Sequence, residues 1–352
     1  MPLYQTIAKI QAPDEKAMAA ARKRWDRVAK PLKGLGLLEE AVARIAGMTG
    51  NPDVTLGKKG VVVMCADNGV VAQGVTQTGG EVTAVVTENL ARGAASVCKM
   101  ARVAGADVFP VDIGVAREVS GPGLRNCKIA YGTLDMTKGP AMTRAQAEKA
   151  VETGAGIAGE LKRSGYGILA TGEMGIGNTT TGSAVASVLL RRLPEEMTGR
   201  GAGLSSEGLR RKIAAIAAAI AVNRPDPDDP LDVLAKVGGF DIAGLTGVFL
   251  GCAENHIPAV VDGFISSAAA LAAVRLCPAA GGYLLASHVS KEPAAGIVLR
   301  ELGLKPLLTA EMCLGEGTGA VASLPLLEMA LAVYREMGTF QDIQIDAYRP
   351  QM

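Results

Sequence analysis

The sequence predicts an α/β fold, a parallel sheet with helices on both of its faces. Three observations predict it. Apolar runs of strand length alternate with helical stretches. Four of those runs end in polar or glycine-rich sequence. The 352 residues include 44 glycines and are 49% hydrophobic but only 3% aromatic, a composition suited to close helix–sheet packing. A chain of this length buries a large core, as one large domain or two.

The elements follow in order. Residues 13–50 read as helical: Asp14 can cap the start, and Ala, Lys, Arg, Leu and Glu dominate up to the break at Gly50-Asn51-Pro52. Val61 to Asp67 is a continuous apolar run ending in Asp67-Asn68-Gly69, as expected of a strand buried on both faces. Asp107–Gly114 is a second run, which Pro110 makes an edge or irregular strand. Thr143 to Gln146 is a capping-box signal for a helix reaching about Arg163. Gly165–Thr171 is the third strand and Ala184–Leu190 is helical. Ile213–Val222 is an Ala/Ile helix of about three turns, too short for a bilayer. Asn223 to Pro230 is a polar, proline-rich connection whose prolines spoil calcium-loop spacing, so it reads as a solvated loop. Ala259–Gly263 and Tyr283–Ser287 complete the strands, with helices at Ser266–Leu276 and Glu292–Leu302. Ligands of such sheets bind at the carboxyl ends of the strands. Those ends carry Asp67-Asn68-Gly69, Gly172-Glu173, Asp262-Gly263 and Ser287-His288.

Composition excludes several functions. A net charge of +1 argues against a nucleic-acid binder. Two histidines argue against a His-rich metal site. The N-terminus has no basic segment followed by an apolar run, and no window approaches a membrane span, so a cytoplasmic location is expected. Cys65, Cys98, Cys127, Cys252, Cys277 and Cys313 form no C-x-x-C pair and read as reduced thiols. Cys313 reads as packing rather than chemistry, since no histidine is near it in sequence.

Three glycine-rich loops carry the chemical signal. Gly172-Glu-Met-Gly-Ile-Gly-Asn-Thr-Thr-Thr181 follows a buried strand and precedes a helix, where backbone N–H groups and the helix N-terminus attract an anion. The P-loop lysine is replaced by Asn178, so the loop suits a monophosphate. A dinucleotide fingerprint fails at Thr180. Gly199 to Leu204, followed by Arg210-Arg211-Lys212, is a second set of amide donors with cations nearby. Leu314 to Ala320 surrounds Glu316 with glycines at the start of an apolar helix. Glu316 there can cap the helix or, approached closely by substrate, act as a base.

These loops, in this order, resemble the nicotinate-nucleotide–dimethylbenzimidazole phosphoribosyltransferases, which activate the lower ligand in cobamide assembly. Further segments carry the resemblance: Lys30 to Gly36, Met64 to Val70, Glu81 to Thr83, Lys236 to Asp241, Asp262 to Ser266 and Ser287 to Ser290. The resemblance implies a Rossmann-like large domain, 53–330, and a small helical domain from the chain ends, 1–52 with 331–352. It implies transfer of phosphoribosyl from nicotinate mononucleotide to an aromatic base, with no metal and no cofactor. It also implies a homodimer-like assembly; a heterodimer with a paralogous chain is the other option. Glu316 matches the general base, and Glu173 matches a glutamate near the ribose that stabilises positive charge. Phosphate and ribose fall to Gly175, Gly177, Asn178, Thr179, Gly201, Ala202, Gly203, Lys212, Asp262 and Ser290. The base falls to Thr78, Gly79, Glu81, Val86, Met174 and Leu314.

The chain departs from relatives at Asn68, where many carry histidine, at Gly79 and Gly80, where a proline and a larger residue are usual, and at Val86, where some present a glutamine. These changes suggest a reshaped, less polar pocket and a base other than dimethylbenzimidazole, such as a phenol. With a phenol's pKa of roughly 10, a carboxylate base would then need a strong environment or a relay. Two other readings stay open: a non-catalytic or partner-dependent subunit of the same family, and a dinucleotide-dependent oxidoreductase on a similar sheet.

Overall fold

The computed structural model describes residues 2–348. The first apolar run forms β1 (Lys58–Ala66), buried from Gly60 onward. β2 (Ala106–Gly114) and the two-residue β3 (Arg125–Asn126) lie on one side of it. β4 (Tyr166–Met174), β5 (Ala259–Val261) and β6 (Leu284–Ala286) lie on the other. The order is β3-β2-β1-β4-β5-β6 and every adjacent pair is parallel. The strand order therefore reverses between β1 and β4, the switch point where such sheets open a crevice at their carboxyl ends. Pro110 is accommodated because β3 pairs only with Val111 and Asp112, leaving β2 unpaired on that side at the proline. β3 escaped the sequence reading, being too short to show a pattern.

The helices are α1 (Leu3–Lys9), α2 (Glu15–Arg27), α3 (Leu37–Thr49), α4 (Glu81–Ala91), α5 (Ser96–Ala104), α6 (Arg144–Arg163), α7 (Asn178–Leu189), α8 (Pro194–Met197), α9 (Ser206–Asn223), α10 (Pro230–Val237), α11 (Phe240–Glu254), α12 (Phe264–Leu276), α13 (Pro293–Glu301) and α14 (Thr318–Glu336). Asp14 caps α2 through Lys16 and Ala17, and Thr143 and Gln146 form the capping box of α6. The helical reading of 13–50 needs correction: α2 ends at Arg27 and α3 starts at Leu37. Between them the Pro31–Gly36 turn interrupts the helix, with Lys33 and Gly36 at positive φ.

Both sheet faces are covered. Gly244 of α11 sits against Met64 and Ile113, whereas Gly317, which caps α14, sits against Val61. Residues 61 and 64 of one strand point to opposite faces. α11 is buried along almost its whole length, because it also packs on α6 backbone to backbone. A Cβ on Gly154 or Gly247 would collide with the carbonyl of Gly244 or Val151 across that contact. The two ends of the chain are tied together: Ala29 N–H donates to the Gly338 carbonyl at 2.9 Å and Phe340 N–H to the Arg27 carbonyl at 3.0 Å. Residues 349–352 of the expected small domain lie outside the described residues. Among the described residues no helix is long and apolar enough to cross a membrane.

Candidate active site

A cavity of about 280 Å³ opens where β4, β5 and β6 end. Its wall draws on six segments: Glu173–Thr179, Arg200 to Leu204, Asp262–Ser266, His288 to Glu292, Cys313–Glu316 and Val75–Thr78 with Val86 of α4. Three of the four polar strand ends singled out in the sequence thus meet here. The fourth, Asp67-Asn68, is buried behind the wall.

Glu173 is the next-to-last residue of β4. Burial pushes its carboxyl up to about 8; the Asn178 hydrogen bond opposes this, and Asp241, Asp262 and Glu316 add repulsion. The Asn178 amide donates to Glu173 Oε2 and, at 3.0 Å, to Asp241 Oδ2. Asp241 is itself pushed up by burial, to about 6. One amide therefore bridges two carboxylates and fixes Glu173 at the wall. Asn68 supports the far side, its Oδ1 accepting from Thr181 Oγ1 at 3.0 Å.

Glu316 lies in a left-handed turn at φ 60°, between Gly315 at 92° and Gly317 at 95°. A non-glycine residue there stores strain, a feature concentrated at functional sites. Glu316 Oε2 accepts the Val97 N–H at 2.9 Å, in the first turn of α5, which orients the carboxylate. Gly172 has no room for a Cβ because the Glu316 carbonyl group packs on it, and a Cβ on Gly315 would stand 2.6 Å from Glu173 Oε1. The glycines thus bring two carboxylates to one cavity.

A cation lies behind the wall at Thr179 and Gly201. Lys212 of α9 is fully buried and donates to Thr179 Oγ1 at 2.7 Å. Burial pulls its ammonium down to about 8, against the attraction of Glu292. The Gly201 backbone lies against both Thr179 Oγ1 and Lys212 Nζ. Gly201 N–H donates to Glu292 Oε1 at 2.9 Å.

Of the expected residues, Glu316, Glu173, Gly175, Gly177, Asn178, Thr179, Gly201, Ala202, Asp262, Ser290, Thr78, Val86, Met174 and Leu314 all line the cavity. Gly79, Glu81, Gly203 and Lys212 do not. The Glu81 carboxylate folds back over Gly79 at the start of α4. Gly203 N–H closes a turn onto the Arg200 carbonyl at 3.2 Å. Lys212 reaches the site only through Thr179 and through its charge. Asn178 holds carboxylates with its side chain and closes a turn onto the Gly175 carbonyl with its N–H. Asp262 Oδ1 accepts the Ala320 N–H at 2.8 Å in the first turn of α14. Burial raises its carboxyl while the adjacent His288 and those amides lower it. Cys313 is exposed and lines the cavity, so the packing reading of this thiol is corrected. Asp241 and Glu292 were missed. Asp241 closes the 236–241 segment that carries the resemblance, but its partner Asn178 lies 63 residues away; Glu292 has no local signature and meets Gly201 across 91 residues.

Comparison with known proteins gives a consistent picture. A family model described as phosphoribosyltransferase matches residues 10–345. A relative from Ruminiclostridium cellulolyticum, named nicotinate-nucleotide–dimethylbenzimidazole phosphoribosyltransferase, is 49% identical over 350 residues, 99% of this chain and 99% of its own. One of the same name from Acetivibrio thermocellus is 47% identical, over 99% of this chain and 100% of its own. A crystal structure of the Thermus thermophilus protein of that name superposes with a TM-score of 0.89 at 41% identity, covering 95% of this chain and 99% of that one.

Proposed function

The chain belongs to the nicotinate-nucleotide–dimethylbenzimidazole phosphoribosyltransferase family, and from that premise we propose that it moves the phosphoribosyl group of nicotinate mononucleotide onto an aromatic base in cobamide assembly. The products are an α-ribotide and nicotinate. The observation that carries this reading is the pairing of Glu316 and Glu173 at one cavity beside two glycine loops.

The lone pair of the acceptor's unprotonated ring nitrogen attacks C1 of the ribose. The bond from C1 to the pyridinium nitrogen breaks, and its electron pair stays on the departing ring. That leaving group is neutral at nitrogen and needs no acid, so one carboxylate suffices where glycosidases use two. The acceptor gains the positive charge and gives its other N–H proton to Glu316. Glu173, ionised once a cationic pyridinium is bound, stabilises the charge that builds on the ribose. Asp262, a carboxylate, suits ribose hydroxyls rather than the phosphate. The phosphate is assigned to the loops at Gly175–Thr179 and Gly201–Ala202, under the field of Lys212. Val86, Met174 and Leu314 give the base largely aliphatic walls.

The benzimidazole named for the relatives is the first acceptor to test. The aliphatic Val86 at the wall favours phenols as a second class. Purified protein incubated with nicotinate mononucleotide and benzimidazoles, adenine or phenols, with products separated by chromatography, tests both. Nicotinate release with any one base supports the transfer. Preference for dimethylbenzimidazole over phenol removes the phenolic reading. No product alone, but product beside a paralogous chain, favours the partner-dependent subunit. A dimer is inferred from the resemblance, and light scattering of the purified chain checks it.

A further inference from the structure

Glu292 stands in the anion cradle. Its Oε1 takes the Gly201 N–H, one of the donors assigned to phosphate. Its Oε2 is buried and accepts no hydrogen bond, packed against Gly199, where a Cβ would collide with it. A buried carboxylate oxygen without a donor is unfavourable and rare. The Lys212 ammonium acts on it only from beyond ion-pair distance, and Glu292 in turn favours that ammonium in its charged form. A phosphate monoester carries between one and two negative charges near neutral pH. It would seek the same Gly201 N–H and the same lysine field, and two anions repel each other in one buried site.

We propose that Glu292 is an internal anion that occupies the phosphate cradle of the empty enzyme and is exchanged for the substrate's phosphate. This rests on the transfer reaction proposed above and deepens it. While the site is empty, Glu292 keeps Lys212 from standing uncompensated and holds the Gly199–Leu204 loop in shape. Phosphate entry drives the carboxylate off Gly201, and its return helps expel the product, whose phosphate occupies the same cradle.

Removing the charge tests this. Glu292→Gln keeps the size of the side chain and should bind both inorganic phosphate and nicotinate mononucleotide roughly tenfold tighter by calorimetry. Its KM for nicotinate mononucleotide should fall, with kcat unchanged or lowered by slower product release. A residue needed only for folding or for binding would move affinity the other way, so unchanged or weaker binding by a folded variant overturns the proposal. Glu292→Ala should shift in the same direction. If neither variant folds, a crystal of the unaltered protein soaked with nicotinate mononucleotide decides. Glu292 displaced from Gly201 N–H supports the exchange, and Glu292 still bonded there beside a bound phosphate overturns it. The inorganic-phosphate arm needs no reaction. Tighter phosphate binding by Glu292→Gln in a protein that never releases nicotinate would sink the transfer reading and leave this one standing.

Discussion

Replacing Glu173 with Gln should stabilise the protein while disabling it. The folded state holds the Glu173 proton up to about 8, against 4.5 for an ordinary glutamate, mainly through burial. Between those values the unfolded chain binds fewer protons here than the native one. Stability therefore falls as pH rises through that window. At ~1.4 kcal/mol for each pH unit, the full cost of ionising the group caps at ~5 kcal/mol. Glu173 reaches the cavity wall, so water offsets part of this, and a gain of ~2 kcal/mol for the Gln variant at pH 8–9 is expected. With an unfolding entropy of ~2.1 cal/mol/K per residue, that gain raises Tm by ~3 °C in a chain of 352 residues. Gln retains an oxygen to accept from Asn178, so the bridge to Asp241 survives. The assay is calorimetric melting of both proteins from pH 4 to pH 9. The difference should vanish near pH 4 and grow to its limit above pH 8. A Gln variant that melts lower at every pH, or by the same margin throughout, would mean that burial does not hold the proton on Glu173.

Three further predictions follow from the same geometry. Glu316→Gln should lower kcat by roughly 10²–10⁴, the usual worth of a general base, with nicotinate mononucleotide binding kept; steady-state kinetics and calorimetry separate the two. The buried Lys212 ammonium titrates at about 8 in the empty enzyme and is charged below that value. KM for nicotinate mononucleotide should thus rise several-fold from pH 7 to pH 9, and a flat KM would detach Lys212 from the phosphate. Gly172→Ala would drive a Cβ into the Glu316 carbonyl group. It should cost ~1–3 kcal/mol in denaturant unfolding and displace Glu316, cutting turnover while leaving the fold recognisable by circular dichroism.

The sheet was legible because its strands are buried on both faces and read as unbroken apolar runs ending in polar residues. β3 was not, since Arg125–Asn126 is too short for any period to register. α11 went unread for the opposite reason. Phe240–Glu254 is apolar on every side, so no helical stripe marks it. The glycine loops were legible because tight turns at positive φ demand glycine, as Gly177, Gly315 and Gly317 show. The resemblance places Asn178 among the phosphate and ribose residues. Its side chain also bridges Glu173 and Asp241, a partnership that only tertiary packing creates. Glu292 was invisible because it meets Gly201 across 91 residues of chain, and nothing local marks that contact.

The proposed reaction is a single displacement at C1 of the ribose, with Glu316 taking the acceptor's proton. The configuration of the product tests it most directly. Nicotinate mononucleotide is a β-glycoside, so direct attack predicts an α-linked product, released with one equivalent of nicotinate and read from the anomeric proton by NMR. A β-linked product would mean two displacements through a covalent intermediate and would contradict the role given to Glu316.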